Sequence, residues 1–284
     1  MLKATFDIVP ASGMPQEWGN TFLLMEVGEK TFNYVVYNRN SSQVLALRQY
    51  SLDFIPDKST HESLQEILKE DEWLQQSFRE AFVIYNYADS NLLPERYFHI
   101  DMSKPATELV YGNARRGLML SEKVQGWNLY NIYRIPRETH ALLQQKFAAG
   151  KYWHYYTLFL TQQKNNNEDE GKESIHVIVA ADQFVVAVFK EKKLALLQTY
   201  GYQTPDDVSF HLLAICSQLQ LNPEEVKMYI SGLIDEQSTL YLELLKYFLQ
   251  LEWELAPARL NLPQEFSQYP QHYFSPLMKM ALCV

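Results

Sequence analysis

Glycine is scarce in this chain: 10 among 284 residues, about half its usual share of roughly 7%. Loops that cradle phosphate rely on glycine for close backbone approach, so the shortage argues against a glycine-rich phosphate loop. No G-x-x-x-x-G-K-[ST], G-x-G-x-x-G or G-x-S-x-G occurs, which removes the usual signatures of P-loop, dinucleotide and serine-hydrolase chemistry. Cysteine is scarcer still. Cys216 and Cys283 supply neither a disulfide framework nor zinc-ligand spacing, and a reducing cytoplasm is the expected compartment. The seven histidines form no H-x-x-x-H or H-x-H, so no metal site is expected. Positive charge is short as well. Lys+Arg 25 against Asp+Glu 34 leaves a net charge of −9, which disfavours nucleic acid and anionic membrane as partners. No long hydrophobic run is present. The most apolar stretch, 175–189, is interrupted by Asp182 and Gln183 and is too short to span a bilayer, and the start MLKATFDIVPASG lacks the apolar region of a signal peptide.

What is present reads as a globular α/β protein. The chain is 47% apolar and 21% charged, long enough for one large domain or two modest ones. One stretch, Gln162–Glu173 (QQKNNNEDEGKE), has no apolar residue and reads as a solvated linker. It suggests two domains, 1–165 and 166–284, the second carrying a C-terminal tail. The two halves repeat one pattern. Thr21–Val27, Phe32–Tyr37 and Val44–Leu52 form a predicted three-strand meander, and so do Ile175–Val179, Phe184–Phe189 and Leu194–Tyr200. Phe32–Tyr37 matches Phe184–Phe189, and Leu45–Gln49 matches Leu194–Gln198 after a register change of three. A capping box at Ser59–Glu62 opens a helix in the first half, and Thr204-Pro205 opens one in the second. Strands Ala81–Tyr85 and Val226–Ile230 follow, and then helices predicted over Arg137–Ala149 and Glu236–Leu249. Each half is therefore β-β-β-α-β-α, which is the mark of an internal duplication.

A duplicated β-β-β-α-β-α unit is the plan of the actin-like ATPase fold, whose two lobes are ribonuclease-H-like. The chain resembles an uncharacterised Bacteroidetes family of unknown function with that fold, and is distantly similar to pilus-assembly ATPase-like proteins. The meanders carry the likeness, together with Asn91-Leu92-Leu93-Pro94-Glu95-Arg96-Tyr97-Phe98 after the fourth strand. The resemblance implies Mg-ATP held between the lobes by two hairpin turns, each with an acid and a glycine. Here it points to Glu26, Gly28 and Lys30 in the first turn, Asp182 in the second, and Gly232 beside the adenosine. The second turn departs from that pattern, because Ile178 stands where the first has Glu26 and Ala180 where it has Gly28.

Missing glycine and missing acid in one turn make a degenerate site the expectation. The chain then reads as a non-catalytic protein-binding or assembly module without a cofactor, its partner met through aromatic surface or the tail. The alternative is a nucleotide-binding ATPase. Arg115 and Arg116, in the flexible stretch Gly112–Gly117, are candidate anion contacts, although an ordinary solvated loop accounts for them too. The cluster Lys151-Tyr152-Trp153-His154-Tyr155-Tyr156 is read as core or strand packing, and His154 and His176 as packed rather than catalytic side chains.

Overall fold

The computed structural model describes residues 2–53, 58–113, 116–166 and 173–283. The chain forms two compact units: Met1–Lys164 with Ala258–Phe266 and Met280–Val284, and Asn165–Pro257 with Ser267–Lys279.

The first unit opens with β1 (Phe6–Ile8), β2 (Thr21–Gly28), β3 (Thr31–Asn38) and β4 (Gln43–Ser51), followed by α1 (Thr60–Glu70) and β5 (Glu80–Asn86). An insertion then adds β6 (Ser90–Pro94), α2 (Ser103–Tyr111), β7 (Leu118–Val124) and β8 (Leu129–Ile135). The chain returns through α3 (Arg137–Lys146) to β9 (Lys151–His154) and α4 (Tyr155–Asn166). The main sheet has the order β1-β4-β3-β2-β5-β9, with β2, β5 and β9 mutually parallel, and the insertion is a separate antiparallel sheet, β6-β8-β7. Apolar residues at every second position of β2 and β3 meet the stripe Leu64, Ile67 and Leu68 of α1 in one core. The predicted capping box is present: Ser59 Oγ accepts from Glu62 N–H, and the Glu62 carboxylate accepts from Ser59 N–H.

The second unit repeats the scheme with β10 (Glu173–Val179), β11 (Gln183–Lys190), β12 (Lys193–Gly201), α5 (Pro205–Leu219), β13 (Lys227–Gly232), α6 (Thr239–Leu244) and β14 (Leu251–Trp253), and α7 (Ser275–Ala281) lies near the chain end. Its sheet order is β12-β11-β10-β13-β14, again with a parallel crossover after three antiparallel strands. A β-bulge falls between Val36 and Tyr37 in one lobe and between Val188 and Phe189 in the other, at matched positions. Pairing places Ala46 opposite Val36 and Leu196 opposite Val188. The two third strands therefore match one residue away from the sequence alignment: the bulge is common to both lobes, and the first turn (39–42) is two residues longer than the second (191–192), not three.

Several boundaries differ from expectation. The polar stretch from Gln162 is not all linker: α4 runs to Asn166 and buries Gln162 and Gln163, and β10 begins at Glu173. Helix α6 is six residues long rather than the predicted Glu236–Leu249. Ser238 caps its start, and the chain turns after Leu244 to bury Phe248 and enter β14. Helix α3 stops at Phe147, before Gly150. The insertion sheet and β1 were not foreseen, since their strands are short and half-polar.

Two carboxylates, one buried and one half-buried, bind the first unit together. Asp71 is almost fully buried and accepts from Tyr34 and Tyr50 hydroxyls (2.7 Å each), Arg48 Nη1 (2.9 Å) and Trp73 N–H (3.0 Å). Glu122 of the insertion accepts from His154 N–H at 2.7 Å, and burial pushes its pKa up to about 7.

Asp71→Asn removes the ion pair and turns an amide toward hydroxyl donors. It should lower unfolding free energy by about 3 kcal/mol, read from a urea midpoint with unchanged m-value. For Glu122 the folded carboxyl holds its proton more tightly than the unfolded one. Its favourable contribution is complete below about pH 4.5 and lost as pH rises through 7. Glu122→Gln should thus be more stable than the parent by about 2 kcal/mol at pH 8, with the gain vanishing near pH 4.5 in thermal melts.

Candidate functional site

In open sheets with parallel strands, ligands favour the carboxyl ends of those strands. In the first unit, β2 ends at Gly28 and β5 at Asn86, side by side in register. A recess of about 420 Å³ lies beyond them, lined by Glu29, Thr60, Tyr87, Asp89, Arg116, Arg134, Ile135 and Pro136. Each element contributes at its end: Glu29 from the β2–β3 turn, Thr60 from the first turn of α1, Tyr87 and Asp89 from the exit of β5, and Arg134 from β8. Arg134 and Asp89 are both buried and form an ion pair, Nε and Nη2 donating to one carboxylate oxygen at 2.9 and 2.6 Å. Arg116 is exposed and makes no ion pair among the described residues. The recess thus offers one exposed guanidinium to a small anion, beside the Arg134–Asp89 pair and the carboxylate of Glu29. Sequence reading reached Arg116 but missed Asp89, Tyr87 and Arg134. The available signal was an arginine inside the apolar strand Leu129–Ile135, a position that calls for a buried partner.

The other predicted residues separate. Glu26 is buried in mid-sheet rather than aimed at a ligand. Asn86 Nδ2 donates to its carboxylate at 2.9 Å, Asn33 is a second partner, and burial raises its pKa. Gly28 closes β2, where a Cβ would sit 3.2 Å from Asn86 O. Lys30 lies in the turn itself and its carbonyl accepts from Leu52 N–H. Arg115 lies outside the described residues.

Asp182 and Gly232 belong to the second unit, on either side of the end of β10. Gly232 has φ +89°, and a Cβ there would lie 2.1 Å from Val179 O, so only glycine fits. The neighbouring amides are committed within the fold. Leu233 N–H donates to Val179 O (2.8 Å), Gly232 N–H to His272 O (2.9 Å), and Ala180 N–H to Gln183 O (2.8 Å). Tyr202 hydroxyl donates to Ala180 O at 2.7 Å and fixes the turn from outside. Asp182 stands exposed at its tip. Beyond β13 and β14 lies a second recess, about 650 Å³, whose rim carries Asp235 and Glu236 and whose wall is Trp253 stacked on His272 at 3.9 Å. Among the described residues no cluster of histidine, cysteine and carboxylate side chains is arranged to hold a metal ion.

His154 is fully buried, with Nε2 3.0 Å from Tyr87 O and Nδ1 3.1 Å from Tyr156 N–H, and burial lowers its pKa to about 4. The hydrogen bonds set a neutral ring with its proton on Nε2. His176 is buried between Tyr229 and Phe189, 3.7 Å from Glu254. Both are core residues, as the sequence indicated.

The model of the protein family of unknown function DUF3822 matches residues 14–251. The chain belongs to that family. A solved Bacteroides thetaiotaomicron protein with actin-like ATPase fold and unknown function is similar at TM-score 0.76 and 17% identity, covering 85% of this chain and 94% of that one. The PilM–PilN type IV pilus biogenesis complex is similar at TM-score 0.54 and 12% identity, covering 92% of this chain and 96% of that one. No curated protein matches the sequence. The DUF3822 chain has the actin-like ATPase fold, and no helix among its described residues is long and apolar enough to cross a membrane.

Glu26→Gln tests the interior role assigned to Glu26. A raised carboxyl pKa means that the glutamate favours folding at low pH and loses that contribution as pH rises above the ordinary carboxylate range. The variant should match or exceed parental stability at pH 7.5 and lose that advantage at pH 4 in thermal melts. A variant less stable than the parent at pH 7.5, with the deficit vanishing at low pH, would show that the charge itself is needed.

Proposed function

We propose that this DUF3822 protein is a non-catalytic, cytoplasmic protein-binding module built on an actin-like scaffold. One observation carries the reading: its exposed large apolar side chains are gathered, not scattered. In the first unit they are Tyr97, Ile100, Met102, Leu109 and Val110, all within the insertion around α2, and in the second all but Leu255, which follows β14, lie on α5, α6 and the segment after α6. Gathered apolar exposure of this kind marks protein contact surfaces. Of the surfaces read in the sequence, the tail has Phe266, His272 and Phe274 buried, while Tyr155 and Tyr156 of the aromatic cluster are packed as that reading expected. The solved PilM structure, which contains its partner PilN, is an instance of this fold carrying protein contacts. The committed amides around Val179 and the carboxylates Asp235 and Glu236 also speak against a polyphosphate in the second unit, where like charges repel.

A second reading, nucleotide binding with Mg-ATP, is favoured by one feature only: the recess beside the first turn with Arg116 at its edge. It requires Glu29 and Asp89 to face the phosphates through Mg²⁺.

Titration of Mg-ATP into the purified protein should give no saturable heat, and melting temperature should not move with ATP, ADP or GTP. Saturating nucleotide at a hundredfold excess over Kd would stabilise by about 2.7 kcal/mol, and that result would replace the first reading with the second. Two double variants, Ile100→Glu with Leu109→Glu and Phe210→Glu with Leu249→Glu, should each leave the melting temperature within a few degrees, and one of them should remove proteins that cross-link to the parent in cells.

A further inference from the structure

Helix α5 buries Val208, Leu212, Ile215 and Cys216 and turns Phe210 outward, 70% exposed. Helix α6, packed against it, buries Leu240 and Leu244 and leaves Leu242 53% and Leu245 39% exposed. Leu249 follows at 61%. Nothing in the second unit's own packing uses these side chains, because each helix already has its buried stripe facing the sheet.

Acidic side chains outnumber basic ones around this face. Asp206 and Glu243 lie within it, and Asp235 and Glu236 precede the cap of α6. The cation on it, Lys246, is held by Glu243 and lies within electrostatic reach of Asp206. The apolar patch of the first unit differs, since there Lys104 pairs with Glu108 and Lys123 with Glu95. Apolar centre and acidic rim together specify the complement: apolar residues flanked by positive charge. A second copy of this chain does not supply it, since the same acidic face and a net charge of −9 repel a twin. The surface consists of helix ridges, not a sheet edge, so its natural occupant is another helix.

We propose that the α5–α6 face binds a basic amphipathic helix of a partner protein, its apolar stripe on Phe210, Leu242, Leu245 and Leu249 and its Lys or Arg side chains toward Asp206 and Glu243. The inference rests on the protein-binding reading and deepens it by naming the face and the partner's chemistry.

Random 16-residue peptides displayed on phage and selected on the full-length protein test it. Selected peptides should carry Leu, Ile or Phe at spacings of three and four with net positive charge. A synthetic copy should lose at least tenfold in affinity with Phe210→Ser plus Leu245→Ser. It should lose severalfold with Asp206→Lys plus Glu243→Lys, or in 0.5 M salt. Circular dichroism melts within a few degrees of the parent would show that these exposed substitutions leave the fold intact. Selected peptides that are acidic or unpatterned, or whose binding ignores both double variants, overturn the assignment. Peptides whose binding is lost with Leu109→Glu instead move the contact to the insertion and leave the protein-binding reading standing. A library that yields no binder removes both. Self-association abolished by Phe210→Ser would identify a second copy as the occupant and overturn the proposal.

Discussion

The end of β13 touches the end of β10 so closely that no side chain fits between them. Gly232 sits with its α-carbon against the Val179 backbone, and the amides of Gly232 and Leu233 are spent on His272 and Val179 carbonyls. An anion site at a strand end needs amides that point outward and are unpaired. Here the same amides close the sheet and anchor the segment carrying His272. Stability of the second unit and an open phosphate cradle draw on the same few N–H groups, and the fold has taken them. Glycine at 232 is therefore required by close packing.

The lobes share more than an order of elements. Both carry the bulge at the same place in the second and third strands, and both set the fourth strand parallel to the first. A bulge is a costly local device that chance similarity has no reason to repeat in register. Divergence is concentrated at the strand ends and in the insertion. In the first lobe Glu26 survives at the acid position but has been drawn into the sheet by Asn33 and Asn86. In the second, Ile178 removes the acid outright. The two lobes thus agree where pairing and burial enforce it, and differ at the strand ends and in the insertion.

This explains what could be read in advance. Eight core strands were legible because Val, Ile, Leu, Phe and Tyr recur in runs that only a buried sheet accommodates, and α1 and α5 announced themselves through Ser59–Glu62 and Thr204–Asp207. The insertion was illegible because β6 and β7 are half-exposed and mix Asn, Ser, Glu and Lys with apolar residues, so their period is weak. Gln162 and Gln163 misled because polarity was read as exposure, whereas helix α4 carries them into the interior. At the candidate site, loop residues such as Arg116 were visible from local sequence. The Asp89–Arg134 pair joins positions 45 residues apart, and only the folded insertion brings them together.

The same reasoning separates scaffold from surface. Phe210 and Leu242 occupy helix positions that the lobe's packing leaves free, so folding places no demand on them to be apolar. Exposed phenylalanine and leucine gain nothing from water and raise the hazard of aggregation. An acidic surround offsets that hazard by keeping copies apart, and it does so at the same residues that would greet a basic partner. Apolar contact and acidic rim are therefore best understood as one feature: a surface kept sticky for something of opposite charge and closed to its own kind.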